Sequence, residues 1–193
     1  MKILKKLIFP FLSLFLFFRT KELIELLIST QPEEHLLAFQ LFYSFLITLY
    51  ITGIFAFVGF AYPTYKVLSS QYYSIKNATT LKKVSRILGL KYFQVLLMAA
   101  FWGSKKNRKK YFDGTKSGLT NFIYQTKQSE FGHFGAFVGI FVISMVLLYH
   151  QYFTMFIIMT VINIIGNFYP ILLQRLHRER ISLVTDRMKK QLL

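Results

Sequence analysis

Two short stretches carry the residues best suited to chemistry in this sequence of 193 residues. In the first, Glu130 and His133 lie three residues apart, a spacing that places both side chains on one face of a helix. A neutral imidazole can accept a proton from a hydroxyl group, and a nearby carboxylate can orient the ring and stabilise the imidazolium. We therefore predict that His133 is a catalytic base and Glu130 its catalytic partner. The structural alternative is a boundary histidine capped by an acid.

The second stretch is a line of polar residues that leaves an apolar segment and enters a basic tail. Its members are Asn163, Asn167, Pro170, Gln174, His177 and Arg178, at steps of 4, 3, 4, 3 and 1. At about 100° per residue they form one stripe along a helix. An asparagine in hydrocarbon must find its hydrogen-bond partner in protein or in a wet cavity. Helix–helix contact explains such a stripe structurally, and substrate binding explains it functionally.

Arginines continue this line into the tail, where they could hold a phosphate or stabilise developing negative charge. The predicted substrate-binding residues are Asn167, Gln174, Arg175, His177, Arg178 and Arg180. Small residues after Glu130 allow a neighbouring helix to come close. These small residues are Gly132, Gly135, Ala136 and Gly139. We expect the last apolar segment to be that neighbour, so that both polar lines meet at the cytoplasmic face.

The elements that position these residues are apolar helices. The chain is 54% hydrophobic and 18% aromatic, in runs longer than a soluble domain needs. Residues 36–62 carry no charge and exceed the roughly 20 residues that a crossing takes. Residues 133–173 are too long for one crossing and divide at residues 149–152 into a helical hairpin. We predict an all-α fold, a polytopic integral membrane helical bundle of about four transmembrane helices plus an interfacial helix.

Two shorter apolar segments complete this single predicted domain, residues 1–193. Within residues 1–35, the stretch 7–18 either crosses the membrane, with flanking basic side chains snorkelling, or lies in the interface. We favour the crossing. No small-residue cleavage site follows it, so we expect the segment to be retained. Residues 88–103 are interrupted by Lys91 and followed by a basic run, which predicts the interfacial helix.

The chain has a net charge of +16, and the distribution of its basic residues predicts how the fold is oriented in the membrane. Lysine and arginine concentrate in residues 63–132 and in the tail, residues 174–193, whereas the turn at residues 150–151 has none. The positive-inside rule places both basic regions, and both termini, in the cytoplasm. We find no nucleic-acid-binding module and expect anionic membrane lipid as a partner, with no nucleic acid. The absence of cysteine excludes disulfides and thiolate sites, and we predict no metal and no cofactor.

The two stretches together resemble the glycosyl-4,4′-diaponeurosporenoate acyltransferases, a family of small bacterial membrane proteins. The resemblance is carried by the Glu-x-x-His start of one span and by NFYPILLQRLHRERI, which closes the next. The family pattern is close to Asn-x-Tyr/Phe-Pro-x-x-x-Gln-Arg-Tyr-Asn-Arg-x-Arg. It matches here at Asn167, Pro170, Gln174, Arg175, Arg178 and Arg180. Leu176 and His177 depart from the usual Tyr-Asn, and the whole resemblance covers residues 85–182.

This resemblance implies transfer of a fatty acyl group onto a sugar hydroxyl of a glycosylated carotenoid, at the cytoplasmic face of the bacterial cell membrane. The implied partners are an acyl donor such as acyl-CoA and a glycosylated lipid acceptor. We infer that Arg175, Arg178 and Arg180 lie near one or the other. The departure at Leu176 and His177 leaves open a different glycolipid as acceptor, or a loss of activity. The alternative function is a non-catalytic membrane protein that binds anionic lipid or a partner through its basic cytoplasmic loops, above all residues 105–116.

Overall fold

The structure, a computed structural model, describes residues 2–102 and 115–190. The basic run at residues 105–110, on which the alternative function depends, lies outside this described part. Regular structure within the described ranges is helical, with no strand, which confirms the predicted all-α class.

Three of the described helices are long and apolar enough to cross a membrane. They are Leu37–Ala61, Gly118–Tyr149 and Phe153–Thr185. These spans confirm a polytopic helical membrane protein, with three candidate crossings against about four expected. The amino-terminal helix α1, Lys2–Ile28, is continuous but is not among the three. A crossing by residues 7–18 therefore stays a prediction.

The chain divides into two compact units. The first unit comprises Met1–Thr64 and Phe131–Phe168, and the second comprises Tyr65–Glu130 and Tyr169–Leu193. One helix, α6, Lys116–Tyr149, contributes to both, because the division falls within it. The boundaries that we drew from the sequence within a single membrane domain stay predictions.

The first unit is built from long apolar helices. It contains α1, a 3-10 turn at Pro32–Glu34, α2 at Leu37–Ala61, the later part of α6, α7 at Phe153–Asn163 and a π-helical turn at Ile164–Phe168. Its core is formed by large aliphatic side chains and methionines. Fully buried members of this core are Leu27, Ile47, Ile140, Leu147, Met155 and Met159. The Tyr152 hydroxyl donates to the Leu27 carbonyl at 2.8 Å, which anchors the bend between α6 and α7 to α1.

Gly132, Gly135 and Gly139 of α6 face α2, and our expectation that these glycines face the last apolar segment is wrong. A Cβ atom on Gly139 would lie 3.2 Å from Ile51 Cγ2, and one on Gly135 would overlap the ring of Phe55. The missing side chains therefore allow α2 and α6 to approach closely. The spacing of small residues indicated a close helix contact, but it held no information about which helix makes that contact.

The second unit gathers the shorter helices. It contains α3 at Ser70–Tyr73, α4 at Ala78–Ile87, α5 at Leu90–Leu97 with a π-helical turn at Met98–Trp102, the start of α6, and α8 at Tyr169–Lys190. The helix α5 lies where the interfacial helix was predicted. Asn77 caps α4 by accepting a hydrogen bond from the Thr80 amide at 2.8 Å. Gly89 adopts a left-handed φ of 62° between α4 and α5, a conformation that favours glycine.

Candidate functional site

In the first unit, a chain of hydrogen bonds holds the His133 imidazole. His133 Nδ1 lies 3.0 Å from Asn167 Oδ1, and Asn167 Nδ2 donates to Asn163 Oδ1 at 3.0 Å. Asn163 Nδ2 in turn donates to the Phe137 carbonyl at 2.9 Å. A backbone carbonyl can only accept, so it fixes the direction of every bond in the chain. In the neutral imidazole the hydrogen therefore lies on Nδ1, and Nε2 carries the lone pair.

The helical backbone that carries Asn163 and Asn167 is irregular near Pro170. Pro170 has no N–H to donate to the carbonyl four residues earlier, that of Gly166. That carbonyl lies beside the His133 ring. The π-helical turn precedes Pro170, and its Asn167, like the neighbouring Asn163, is buried. Turns of this type occur frequently at functional sites.

In the second unit, Glu130 is completely buried and binds two arginines of α8. Arg175 Nε donates to Glu130 Oε1 at 2.8 Å, and Arg178 Nη2 donates to Glu130 Oε2. Such pairing is what permits a carboxylate to be buried. We predicted that Glu130 orients His133. In the structure Asn167 makes the hydrogen bond to His133, and the Glu130 carboxylate accepts hydrogen bonds from Arg175 and Arg178.

Two tyrosines of α3 complete this arrangement. The guanidinium carbon Cζ of Arg175 lies 5.1 Å from the ring centroid of Tyr72, and that of Arg178 lies 5.6 Å from the centroid of Tyr73. Lys127 Nζ is also 5.6 Å from the Tyr73 centroid. These distances allow cation–π attraction. We call the set the arginine cluster; it comprises Tyr72, Tyr73, Lys127, Glu130, Arg175 and Arg178.

The environment of the arginine cluster keeps its tyrosines protonated. Burial, and after it the negative charge of Glu130, raises the pKa of Tyr73 to about 12. Burial and the same carboxylate also raise the pKa of Tyr72. At neutral pH both side chains therefore present an O–H group. Sequence analysis missed these tyrosines, because no spacing rule connects α3 with arginines about a hundred positions later in the chain.

The remaining predicted residues lie along α8. Gln174 Nε2 donates to Ser129 Oγ at 3.2 Å, beside Glu130 in the chain. The ring centroids of His177 and Phe122 are 5.6 Å apart. Arg180 is exposed. The structure therefore joins His133 with Asn167 in one unit, and Glu130 with Arg175 and Arg178 in the other.

Within residues 2–102 and 115–190, no group of three or more histidine, cysteine, aspartate or glutamate side chains is arranged to hold a metal ion.

The family model described as glycosyl-4,4′-diaponeurosporenoate acyltransferase matches residues 68–187, well over half of the chain. The matched range contains the arginine cluster, His133 and Asn167. No curated protein and no solved structure matches the chain.

Proposed function

The chain belongs to the glycosyl-4,4′-diaponeurosporenoate acyltransferase family, and from this premise we propose that it transfers a fatty acyl group onto a hydroxyl of a glycosylated carotenoid or a similar glycolipid. We propose a bacterial cell membrane as its location. The reaction would take place at the cytoplasmic face, because the basic residues that flank the spans favour that side. Membrane lipid, an acyl donor and a glycosylated lipid acceptor are the partners in this proposal.

In the proposed reaction, His133 Nε2 takes the proton of the acceptor hydroxyl as its oxygen attacks the carbonyl carbon of the donor. With a thioester donor such as acyl-CoA, the tetrahedral intermediate then collapses and the carbon–sulfur bond breaks. The departing thiolate takes the proton from the imidazolium. An ester and a thiol are released, and His133 returns to its neutral form.

The observation that carries the proposal is the directed hydrogen-bond chain from the Phe137 carbonyl through Asn163 and Asn167 to His133. This chain leaves Nε2 as the basic nitrogen without the help of an ionised group. An ionised partner within a membrane span would be costly, whereas an amide orients the ring without charge. Asn167 is a positioning residue in this account, since it acts through the imidazole.

The other predicted residues are proposed to bind the substrates. Guanidinium groups suit the phosphates of an acyl donor and the oxygens of a sugar, and Arg175, Arg178 and Arg180 supply three of them on α8. Gln174 and His177 add a neutral amide and an imidazole to the same helix. Glu130 positions Arg175 and Arg178 by accepting a hydrogen bond from each.

The experiment is lipid extraction from cells that make the glycosylated carotenoid, with and without this protein, followed by mass spectrometry. We expect a lipid heavier by one acyl chain, present with the wild type and absent with His133→Ala. His150→Ala, at the bend between α6 and α7, is the matched control and should leave the product unchanged. A wild-type extract without the heavier lipid would contradict the proposal. Full product from His133→Ala, with loss on substitution of the basic run, would favour the non-catalytic alternative.

A further inference from the structure

The arginine cluster holds more positive charge than its acid neutralises. Arg175, Arg178 and Lys127 are three cations, and Glu130 is the carboxylate that pairs with both guanidinium groups, so the cluster has a formal charge of +2. Glu179, a buried acid of α8, is paired with Lys82 and does not neutralise the cluster. Excess charge in a partly buried position favours an anionic partner.

Three polar groups of the cluster are buried without a hydrogen-bond partner in the described part of the chain. They are Nε and Nη1 of Arg178 and the hydroxyl of Tyr73. Arg178 is 7% exposed and Tyr73 is 4% exposed. Buried polar groups without partners are rare in native proteins. A guanidinium can only donate hydrogen bonds, and the protonated Tyr73 hydroxyl can donate as well, so the fitting partner is an acceptor.

We propose that the arginine cluster binds a phosphate group, with Arg178 and Tyr73 donating hydrogen bonds to its oxygens and Lys127 adding charge. A phosphate monoester carries nearly two negative charges at neutral pH and offers three acceptor oxygens. It therefore offsets the excess charge and uses the unpartnered donors together. A water molecule would accept the hydrogen bonds but would not offset the charge of +2. A carboxylate would offset only half of that charge.

Two sources can supply this phosphate. One is a soluble acyl donor, since coenzyme A carries a phosphate monoester; this source deepens the proposed function and rests on it. The other is the headgroup of an anionic lipid such as phosphatidic acid, which requires no acyl transfer.

The test measures binding to the purified full-length protein without turnover. In phosphatidylcholine nanodiscs, coenzyme A is compared with dephospho-coenzyme A by calorimetric titration. In detergent, retention of phosphatidic acid is compared with that of phosphatidylcholine by native mass spectrometry. We expect either coenzyme A or phosphatidic acid to bind at least about tenfold more tightly than dephospho-coenzyme A or phosphatidylcholine, respectively. Tyr73→Phe should weaken that binding about tenfold, because it removes a hydrogen bond to a charged group. Tyr92→Phe, at an exposed tyrosine of α5, is the matched control.

The preferred probe identifies the source of the phosphate. A second variant, Arg178→Lys, keeps a positive charge beside Glu130 but removes the guanidinium donors, and it should also weaken binding, whereas the exposed Arg86→Lys should not. Equal binding of each probe and its counterpart by the wild type would overturn the inference. So would wild-type affinity in both Tyr73→Phe and Arg178→Lys. Full product in His133→Ala with phosphate binding intact would contradict the acyl-transfer proposal but not this one.

Discussion

Arg175 Nε donates to Glu130 Oε1 at 2.8 Å, and the carboxylate that accepts this bond has no exposure to solvent. Arg178 binds the second oxygen of the same group. A buried carboxylate with two guanidinium partners connects α6 to α8 within the second unit. Glu130 therefore holds Arg175 and Arg178 together in the arginine cluster.

Replacing Glu130 by glutamine should destabilise the protein strongly. Glu130→Gln leaves two guanidinium groups without their counter-charge, and breaking a buried pair in this way costs about 3–5 kcal/mol in the free energy of unfolding. Unfolding in mixed detergent micelles measures the change. Glu22→Gln is the control, since its pair with Arg19 is exposed and such pairs contribute less than about 1 kcal/mol. Equal losses from the two variants would contradict the role assigned to Glu130.

Removing the amide that orients His133 should slow turnover without weakening substrate binding. Asn167→Ala deletes one hydrogen bond to the imidazole, and we expect kcat to fall roughly ten- to a hundredfold with KM unchanged. Steady-state kinetics on the purified enzyme test this, with the exposed Asn121→Ala as control. A raised KM at unchanged kcat would instead make Asn167 a residue that binds substrate.

Adding one methyl group at Gly135 should disturb the contact between α2 and α6. Its Cβ atom would overlap the Phe55 ring, and overpacking of this kind typically costs about 1–3 kcal/mol in the free energy of unfolding. Gly166→Ala has nothing within 4 Å of the new atom and should not destabilise the fold. Adding Phe55→Leu to the Gly135→Ala variant should restore part of the lost free energy of unfolding. No recovery in the double variant would show that the cost arises elsewhere.

The buried Tyr73 predicts a pH dependence at the alkaline end. Its pKa of about 12 in the folded protein exceeds the value of about 10 for an unfolded tyrosine. The folded state therefore holds this proton more tightly, so the contribution to stability is fully present below about pH 10 and is lost as pH rises through 12. Tyrosinate absorbance of wild type minus Tyr73→Phe should show a transition near pH 12. A transition near pH 10 would contradict the burial of this side chain.

Hydropathy and helical spacing predicted the parts of the fold that depend on the membrane itself. Residues 36–62 and 133–173 had to be helical, because a bilayer leaves backbone groups no other partner. The start of α6 at Lys116 was not predicted, since its first turns are polar. The π-helical turn at Ile164–Phe168 gives no composition signal, although Pro170 marks its neighbourhood.

The sequence also predicted which residues of the candidate site are important, but not which partners they contact. Asparagines in an apolar run need partners, so Asn167 stood out, and Glu130 stood out as an acid at the edge of a span. Their actual partners depend on packing. One-turn spacing paired Glu130 with His133, but the arginines offer the buried carboxylate a stronger partner. Tyr73 lies in a short helix far from α8 in sequence, where only tertiary structure can place it beside Arg178.

In the proposed reaction, the imidazole of His133 removes the proton from the acceptor hydroxyl. The most direct measurement is the initial rate of ester formation by purified wild type, His133→Ala and His150→Ala in proteoliposomes that contain the glycosylated carotenoid and a thioester donor. We predict that His150→Ala retains the wild-type rate and that His133→Ala loses at least about a hundredfold, the lower end of what a general base contributes. A folded His133→Ala protein that makes ester at the wild-type rate would contradict the claim.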